Sequence, residues 1–279
     1  MRRVWPIMQS VQASWKFAPL NRPFTPSPST RKLEGIVFDV DGTLCEPQTY
    51  MFSEMRSALG IAKSVDILEH VYSLPTAEQQ HQAMELIRDI ERRAMLKQVA
   101  QPGLVKLMSY LDSRGIRKGI CTRNFETPVN NLLSKFLAGS VFAPIVTRDF
   151  RPPKPDPAGI LHIARSWGLV RRSTGEAGIP ADAKQEEEER RSAGEEDNQS
   201  WEVDGGNLLR TEVGEEVADA SGLIMVGDSI DDITAGRRAG AKTVLLVNDV
   251  NRHLADHELT DLVISRLDEL IDVLENGLL

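Results

Sequence analysis

Short apolar runs and helical patterns alternate along most of this 279-residue chain. Apolar runs at 35–38, 116–121, 142–146, 223–226 and 243–247, with a weaker one at 262–264, are each bounded by Gly, Asp or Asn. Most are apolar on consecutive positions, as strands buried on both faces must be. Between them, 101–113, 127–138, 157–167 and 231–239 carry helical spacing. Ser265, with Asp268 three positions on, caps a last helix whose stripe is Leu267, Leu270, Ile271 and Leu274. Strands alternating with helices imply right-handed crossovers and a parallel sheet covered on both faces. The predicted fold class is therefore α/β, Rossmann-like, with core segments 34–44, 102–170 and 223–279.

Three stretches break the alternation. Residues 45–101 show only helical patterns, including Met84, Ile87, Ile90, Ala94 and Met95 at near-helical spacing. A small all-helical cap inserted directly after the first strand stands where a lid would stand. Residues 1–33 hold no acid but Arg2, Arg3, Lys16, Arg22, Arg31 and Lys32, and prolines crowd the second half. They read as a disordered basic tail, with a mitochondrial transit peptide as the other reading. Residues 171–222 hold fifteen Asp/Glu against six Lys/Arg, and only six Leu, Ile, Val or Phe. They read as an acidic disordered insertion.

Composition narrows the class. The net charge of −8 argues against a nucleic-acid binder or a basic membrane-surface protein. Two cysteines, Cys45 and Cys121, rule out a disulfide framework and fit a reducing intracellular setting, cytoplasmic in preference to mitochondrial. No apolar run approaches the ~20 residues of a membrane span.

The chemistry gathers where strands end. The first strand runs into Asp39-Val40-Asp41-Gly42, two carboxylates one residue apart at the edge where parallel sheets bind ligands. One suits a nucleophile and metal ligand, the other a proton donor and acceptor. The fourth strand ends in Gly227-Asp228-Ser229-Ile230-Asp231-Asp232. Clustered carboxylates repel unless a cation joins them, and such hard oxygens suit Mg²⁺. Asp231 reads mostly as a helix N-cap or dipole partner, and Asp232 as an outer-shell group to the metal. The second strand ends in Thr122-Arg123-Asn124, a hydroxyl and amides able to cradle an anion. Lys154 lies among Pro152, Pro153, Pro155 and Pro157, which stiffen its backbone for a phosphate and carboxylate clamp.

These four peptides, DVDGTL, Thr122 closing an apolar strand, Lys154 in KPDP, and GDSIDD, resemble the motifs of the haloacid dehalogenase (HAD) superfamily in their order. The stretch GDSIDDITAGRRAGAKTVLL is similar to the subgroup of phosphoglycolate phosphatases and β-phosphoglucomutases, which carry a helical cap between the first two motifs. The resemblance implies the HAD fold and a Mg²⁺-dependent phosphatase acting on a small phosphorylated metabolite. It further implies that Asp39 forms an aspartyl-phosphate and Asp41 serves as acid and base. Thr122, Arg123, Asn124 and Lys154 would bind phosphate. Asp39, Asp41 through its carbonyl, and Asp228 would hold the metal, with Asp232 farther out.

Other readings compete. A sugar-phosphate mutase shares all four motifs but needs a cap that excludes water. A non-catalytic interaction module would be expected to lose Asp39, Asp41, Lys154 or Asp228, yet all four stand. Metal-free dehalogenases lack the second acid, and the DKTG of P-type ATPases is absent. Lys63 and Lys97 could serve a phosphonatase by location only. His253 and His257 read as solvated, Cys45 and Cys121 as small buried residues. Among the cap's basic residues, Arg56, Lys63, Arg88, Arg92 and Arg93, the sequence offers no choice. Substrate and oligomeric state stay open.

Overall fold

The computed structural model describes residues 15–172, 216–277 and 279. Six parallel strands form the sheet, ordered β10-β9-β8-β3-β4-β5. They are β3 (Gly35–Phe38), β4 (Arg117–Cys121), β5 (Ile145–Val146), β8 (Leu223–Gly227), β9 (Lys242–Leu246) and β10 (Leu262–Ile264). The chain starts in the middle, winds outward through β4 and β5, then returns to the other side of β3 for β8, β9 and β10. This reversal beside β3 is the switch point where open α/β sheets take ligands.

Consecutive apolar residues serve opposite faces. Ile36 and Phe38 pack with Leu107, Leu111, Leu132 and Leu270. These come from α4 (Leu104–Ser113), α5 (Glu126–Phe136) and α8 (Glu269–Asn276). Val37 packs on the other face with Ile160, Ile163 and Ala235 of α6 (Ala158–Ser166) and α7 (Ile230–Ala239). All four residues of β3 are buried, as its unbroken apolar run predicts.

Between β3 and β4 the chain forms the cap: α1 (Thr49–Leu59), α2 (Ile67–Ser73) and α3 (Ala77–Leu96). It has its own apolar cluster, including Met51, Met55, Val71, Ile87 and Ile90, which Phe125 of the core completes. The two chain crossings run side by side, the Glu46 amide donating to the Val99 carbonyl at 2.9 Å. A buried ion pair, Glu91 of α3 with Arg148 beyond β5, ties cap to core. Among the described residues no helix is long and apolar enough to cross a membrane.

Several boundaries differ from expectation. The third strand shrinks to two residues, because Pro144 has no amide to donate and Phe142 packs beside Phe38 instead. The helix expected from 101 starts at Leu104, after Gly103 in the left-handed region at φ 84°. The last helix is preceded by Asp268; Ser265 instead bonds the Glu269 carboxylate through both amide and hydroxyl. Of the expected tail, residues 1–14 lie outside the described residues, but 15–33 pack. They form two-residue strands β1 (Lys16–Phe17) and β2 (Thr30–Arg31), and Phe17 and Leu33 enter the main core. A few apolar anchors and the carbonyls of Leu274 and Leu279 hold a segment whose average composition suggests none. Of the expected insertion, 173–215 lie outside the described residues. Its ends pair antiparallel as β6 (Val170–Arg172) and β7 (Glu216–Ala218), and Ala220 is buried.

Gly236 of α7 lies against β8 and β9. A Cβ there would come 2.7 Å from Met225 Cβ and 2.9 Å from Thr243 Cγ2. Gly236→Ala is therefore expected to destabilise by about 1–3 kcal/mol in urea unfolding, although alanine favours helices. A stabilised variant would mean that helix and sheet are less tightly packed than described.

Candidate active site

Three strand ends meet at one edge of the sheet. Residues 39–41 follow β3, Thr122 follows β4 and Asp228 follows β8, all in neighbouring parallel strands. Gly42 makes the turn after Asp41 at φ 80°, and a Cβ there would lie 2.1 Å from Asp228 Oδ2. Only glycine lets this loop approach the second acidic strand end.

Asp39 is 8% exposed and accepts from Lys154 Nζ at 2.7 Å through Oδ1. Lys154 also donates to Asp232 Oδ1 at 2.5 Å. Asp232 Oδ2 accepts from the Ser229 hydroxyl at 2.7 Å and from the amides of Ser229 and Asp228 at 3.0 and 3.2 Å. The Asp232 amide donates in return to Ser229 Oγ at 3.3 Å, completing a capping box in which Ser229 is the N-cap of α7; Asp231 is therefore not the cap but stands in the first turn, where a dipole partner would. Asp41 Oδ2 accepts from Asn124 Nδ2 at 2.9 Å, and its Oδ1 from the Cys45 thiol at 3.4 Å. Thr122 is buried, its Oγ1 accepting from the Asn124 amide at 3.2 Å.

Carboxylate oxygens of Asp39, Asp228 and Asp232 lie within 4.8 Å of one another. Burial pushes Asp39 up to about 7 against the pull of Lys154, with Asp232 adding to the rise. Burial, then Asp232 and Asp39, push Asp228 up to about 8. Burial also raises Asp41, opposed by its bond from Asn124. Three hard-oxygen donors facing one ammonium form a set short of positive charge, and a divalent cation fits it. The clustered donors are all carboxylate oxygens, and neither buried thiol joins them; burial raises the Cys121 thiol to about 12 and the Cys45 thiol farther.

Arg123 departs from expectation. Its Nη1 donates to Asp231 at 2.8 Å and its Nη2 to Asp66, the N-cap of α2, at 2.6 Å. The guanidinium thus links cap to core and is engaged by two carboxylates, instead of being free for phosphate. Three groups at the site escaped the sequence reading. Asn248 Nδ2 donates to Asp228 Oδ2 at 3.2 Å, and Asn251 Nδ2 to the Asp228 carbonyl at 2.7 Å. Their signal was present: β9, like the other strands, ends in polar residues at the same edge. Arg148 is the third, its Nε donating to the Arg123 carbonyl at 2.7 Å. Lys63 and Lys97 are exposed, and His253 is exposed while His257 accepts from the Leu259 amide.

Over this floor lies a cavity of about 390 Å³, closed on the cap side by residues including Gln48, Phe52, Met55, Arg56, Ile67 and Leu68. Its size is that of a small-molecule site.

Residues 33–174 match the family model described as haloacid dehalogenase-like hydrolase, and 208–270 a second one described as HAD-hydrolase-like. The chain is 38% identical over 251 residues to an uncharacterized hydrolase of Saccharomyces cerevisiae, spanning 88% of this chain and 93% of that one. It is 31% identical over 226 residues to a haloacid dehalogenase-like hydrolase domain-containing protein of Arabidopsis thaliana, spanning 77% and 71%. The crystal structure of a predicted phosphoglycolate phosphatase from Haemophilus somnus matches with a TM-score of 0.55 at 14% identity, covering 86% of this chain and 97% of that one. At that identity the likeness speaks for the fold.

Proposed function

This chain belongs to the haloacid dehalogenase-like hydrolase family, and from that premise we propose that it hydrolyses a small phosphorylated metabolite through an aspartyl-phosphate. The observation that carries this reading is Asp39, a carboxylate held by Lys154 at the floor of a small-molecule cavity beside two further acids. Lys154 engages Oδ1, so Oδ2 is the oxygen that attacks phosphorus as the bond to the leaving oxygen breaks. Asp41 gives its proton to that leaving oxygen. It then takes one from the water that attacks phosphorus and releases Asp39. Burial favours the protonated Asp41 that starts this cycle, and Asn124 and Cys45 orient its two oxygens.

The carboxylates of Asp39 and Asp228 and the carbonyl of Asp41 would hold Mg²⁺, with Asp232 farther out because Lys154 and Ser229 already engage it. When bound, the ion offsets the charge of the phosphoryl oxygens. Lys154 and the Thr122–Asn124 turn position those oxygens, the work on which phosphoryl transfer chiefly depends.

The test is phosphate release from p-nitrophenyl phosphate and a metabolite panel. We expect turnover with Mg²⁺ and a drop of at least about 100-fold in excess EDTA, restored by added Mg²⁺. Silence of folded, Mg²⁺-supplied protein over the whole panel would sink the reading.

A further inference from the structure

Of the cap's five basic candidates, the structure singles out one. Arg88 pairs with Glu85 and lies over the Phe125 ring, Arg92 pairs with Glu85 and Asp89, and Arg93 with Glu54, and none of the three borders the active-site cavity. Lys63 is exposed. Arg56 lines the cavity.

Four cationic side chains line that cavity, and three are answered by carboxylates. Lys154 faces Asp39 and Asp232, Arg123 faces Asp66 and Asp231, and Arg148 faces Glu91. Arg56 has no carboxylate partner among the described residues. Its Nη1 reaches only the Phe52 carbonyl one turn back, at 3.4 Å, and its Nε is buried with no partner. A guanidinium stays charged at any working pH, so a half-buried one with so weak a bond is a donor set waiting for an acceptor. Arg148 Nη1 is also buried without a partner among the described residues, but that guanidinium is neutralised by Glu91 and tied to the Arg123 carbonyl, so Arg56 is the cavity cation whose charge no carboxylate answers.

The helix fixes where this charge points. Phe52, Met55 and Arg56 lie three and four positions apart on one face of α1, and all border the cavity. Phe52 is 39% exposed, an aromatic surface turned to a ligand space instead of a core. Ile67 and Leu68 of α2 continue this apolar wall.

We propose that Arg56 determines specificity: the preferred substrate carries, besides the reacting phosphate, a second oxyanion that docks on Arg56. The carbon skeleton between the two lies against Phe52 and Met55. A carboxylate and a second phosphate share the required chemistry, each offering Arg56 two oxygens in one plane. This inference rests on the phosphatase reading and names the substrate class of the same cavity.

The experiment compares three esters of one skeleton with Mg²⁺ present: propyl phosphate, the phosphate ester of hydroxypropionate, and propanediol bisphosphate. Wild type is expected to favour at least one charged ester over propyl phosphate by about 10–100-fold in kcat/KM, the effect of a hydrogen bond to a charged group. The two charged esters tell a carboxylate from a phosphate. In Arg56→Met that preference should fall to near unity through KM, and Arg56→Lys should keep part of it. A merely structural role would lower all three esters together and leave the ratio intact, which overturns the proposal. Equal use of the three by wild type overturns it too. Wild type silent on all three and on p-nitrophenyl phosphate would remove the phosphatase reading itself, a different failure from a lost preference.

Discussion

Asp39→Asn is expected to lower phosphate release by ~10⁴-fold or more while leaving the folded protein at least as stable as wild type. The two halves have separate causes. An amide keeps the shape of the carboxylate and its carbonyl still accepts from Lys154, so the loop after β3 has no reason to move. The amide is too weak a nucleophile for the covalent step, and no neighbouring carboxylate can substitute. Asp41 is turned toward Asn124 and Cys45, and Asp232 is engaged by Lys154 and Ser229. Stability moves the other way because the native site works against ionised Asp39. Burial lifts it to about 7, above its ordinary 3.8, so the native state binds this proton more tightly than the unfolded chain does. In chelator, stability should therefore fall as pH rises from about 4 towards 7. Asn at this position removes that part of the slope. Denaturation midpoints in EDTA at several pH values, beside phosphate assays with Mg²⁺, test both halves. Wild-type turnover in the variant would remove Asp39 as nucleophile. Clear destabilisation would mean that its charge supports the fold.

Much of this arrangement was legible because one physical rule wrote it several times. A strand buried on both faces is a run of apolar residues, and the polar residues that end it face the ligand edge. Asp39, Asp41, Thr122 and Asp228 each follow such a run, and the structure gathers them at neighbouring strand ends. Lys154 was legible for another reason, the prolines around it, and it stands between Asp39 and Asp232.

What escaped depends on partners far apart in sequence. Arg123 beside Thr122 reads as an anion binder until Asp66 and Asp231 arrive from 57 and 108 positions away. Glu91 looks like one more charge on a solvated helix, yet it is 2% exposed against Arg148, with burial pushing it up to about 7 against the pull of that arginine. No local pattern announces either pairing. Residues 15–33 were misread because composition averages over a segment, whereas packing needs only Phe17, Leu33 and a few carbonyls.

Lys154→Met should cost both activity and stability, and so separate this lysine from the acid it serves. Methionine fills much of the same space, so the loss is mainly of charge. Lys154 is 5% exposed, and Asp39 and Asp232 each rely on it. Removing one member of a buried ion pair leaves the other uncompensated, at about 3–5 kcal/mol. Burial alone would push the ammonium toward neutrality, but Asp232 and Asp39 outweigh it and hold its affinity for the proton above the ordinary range. The charge is thus present at every working pH and its loss is a real one. Turnover should fall at least ~10²–10³-fold, the scale of losing one preorganised donor from a developing charge. The cation supplies the discriminating measurement. If Asp39 and Asp232 are destabilising because they lack positive charge, saturating Mg²⁺ should restore part of the variant's denaturation midpoint. It should restore little of the turnover, since no ion at the carboxylates replaces a donor to the phosphoryl oxygens. A variant as stable as wild type in EDTA would show that the two acids protonate at little cost. Activity recovered fully by Mg²⁺ would reduce Lys154 to a counter-ion.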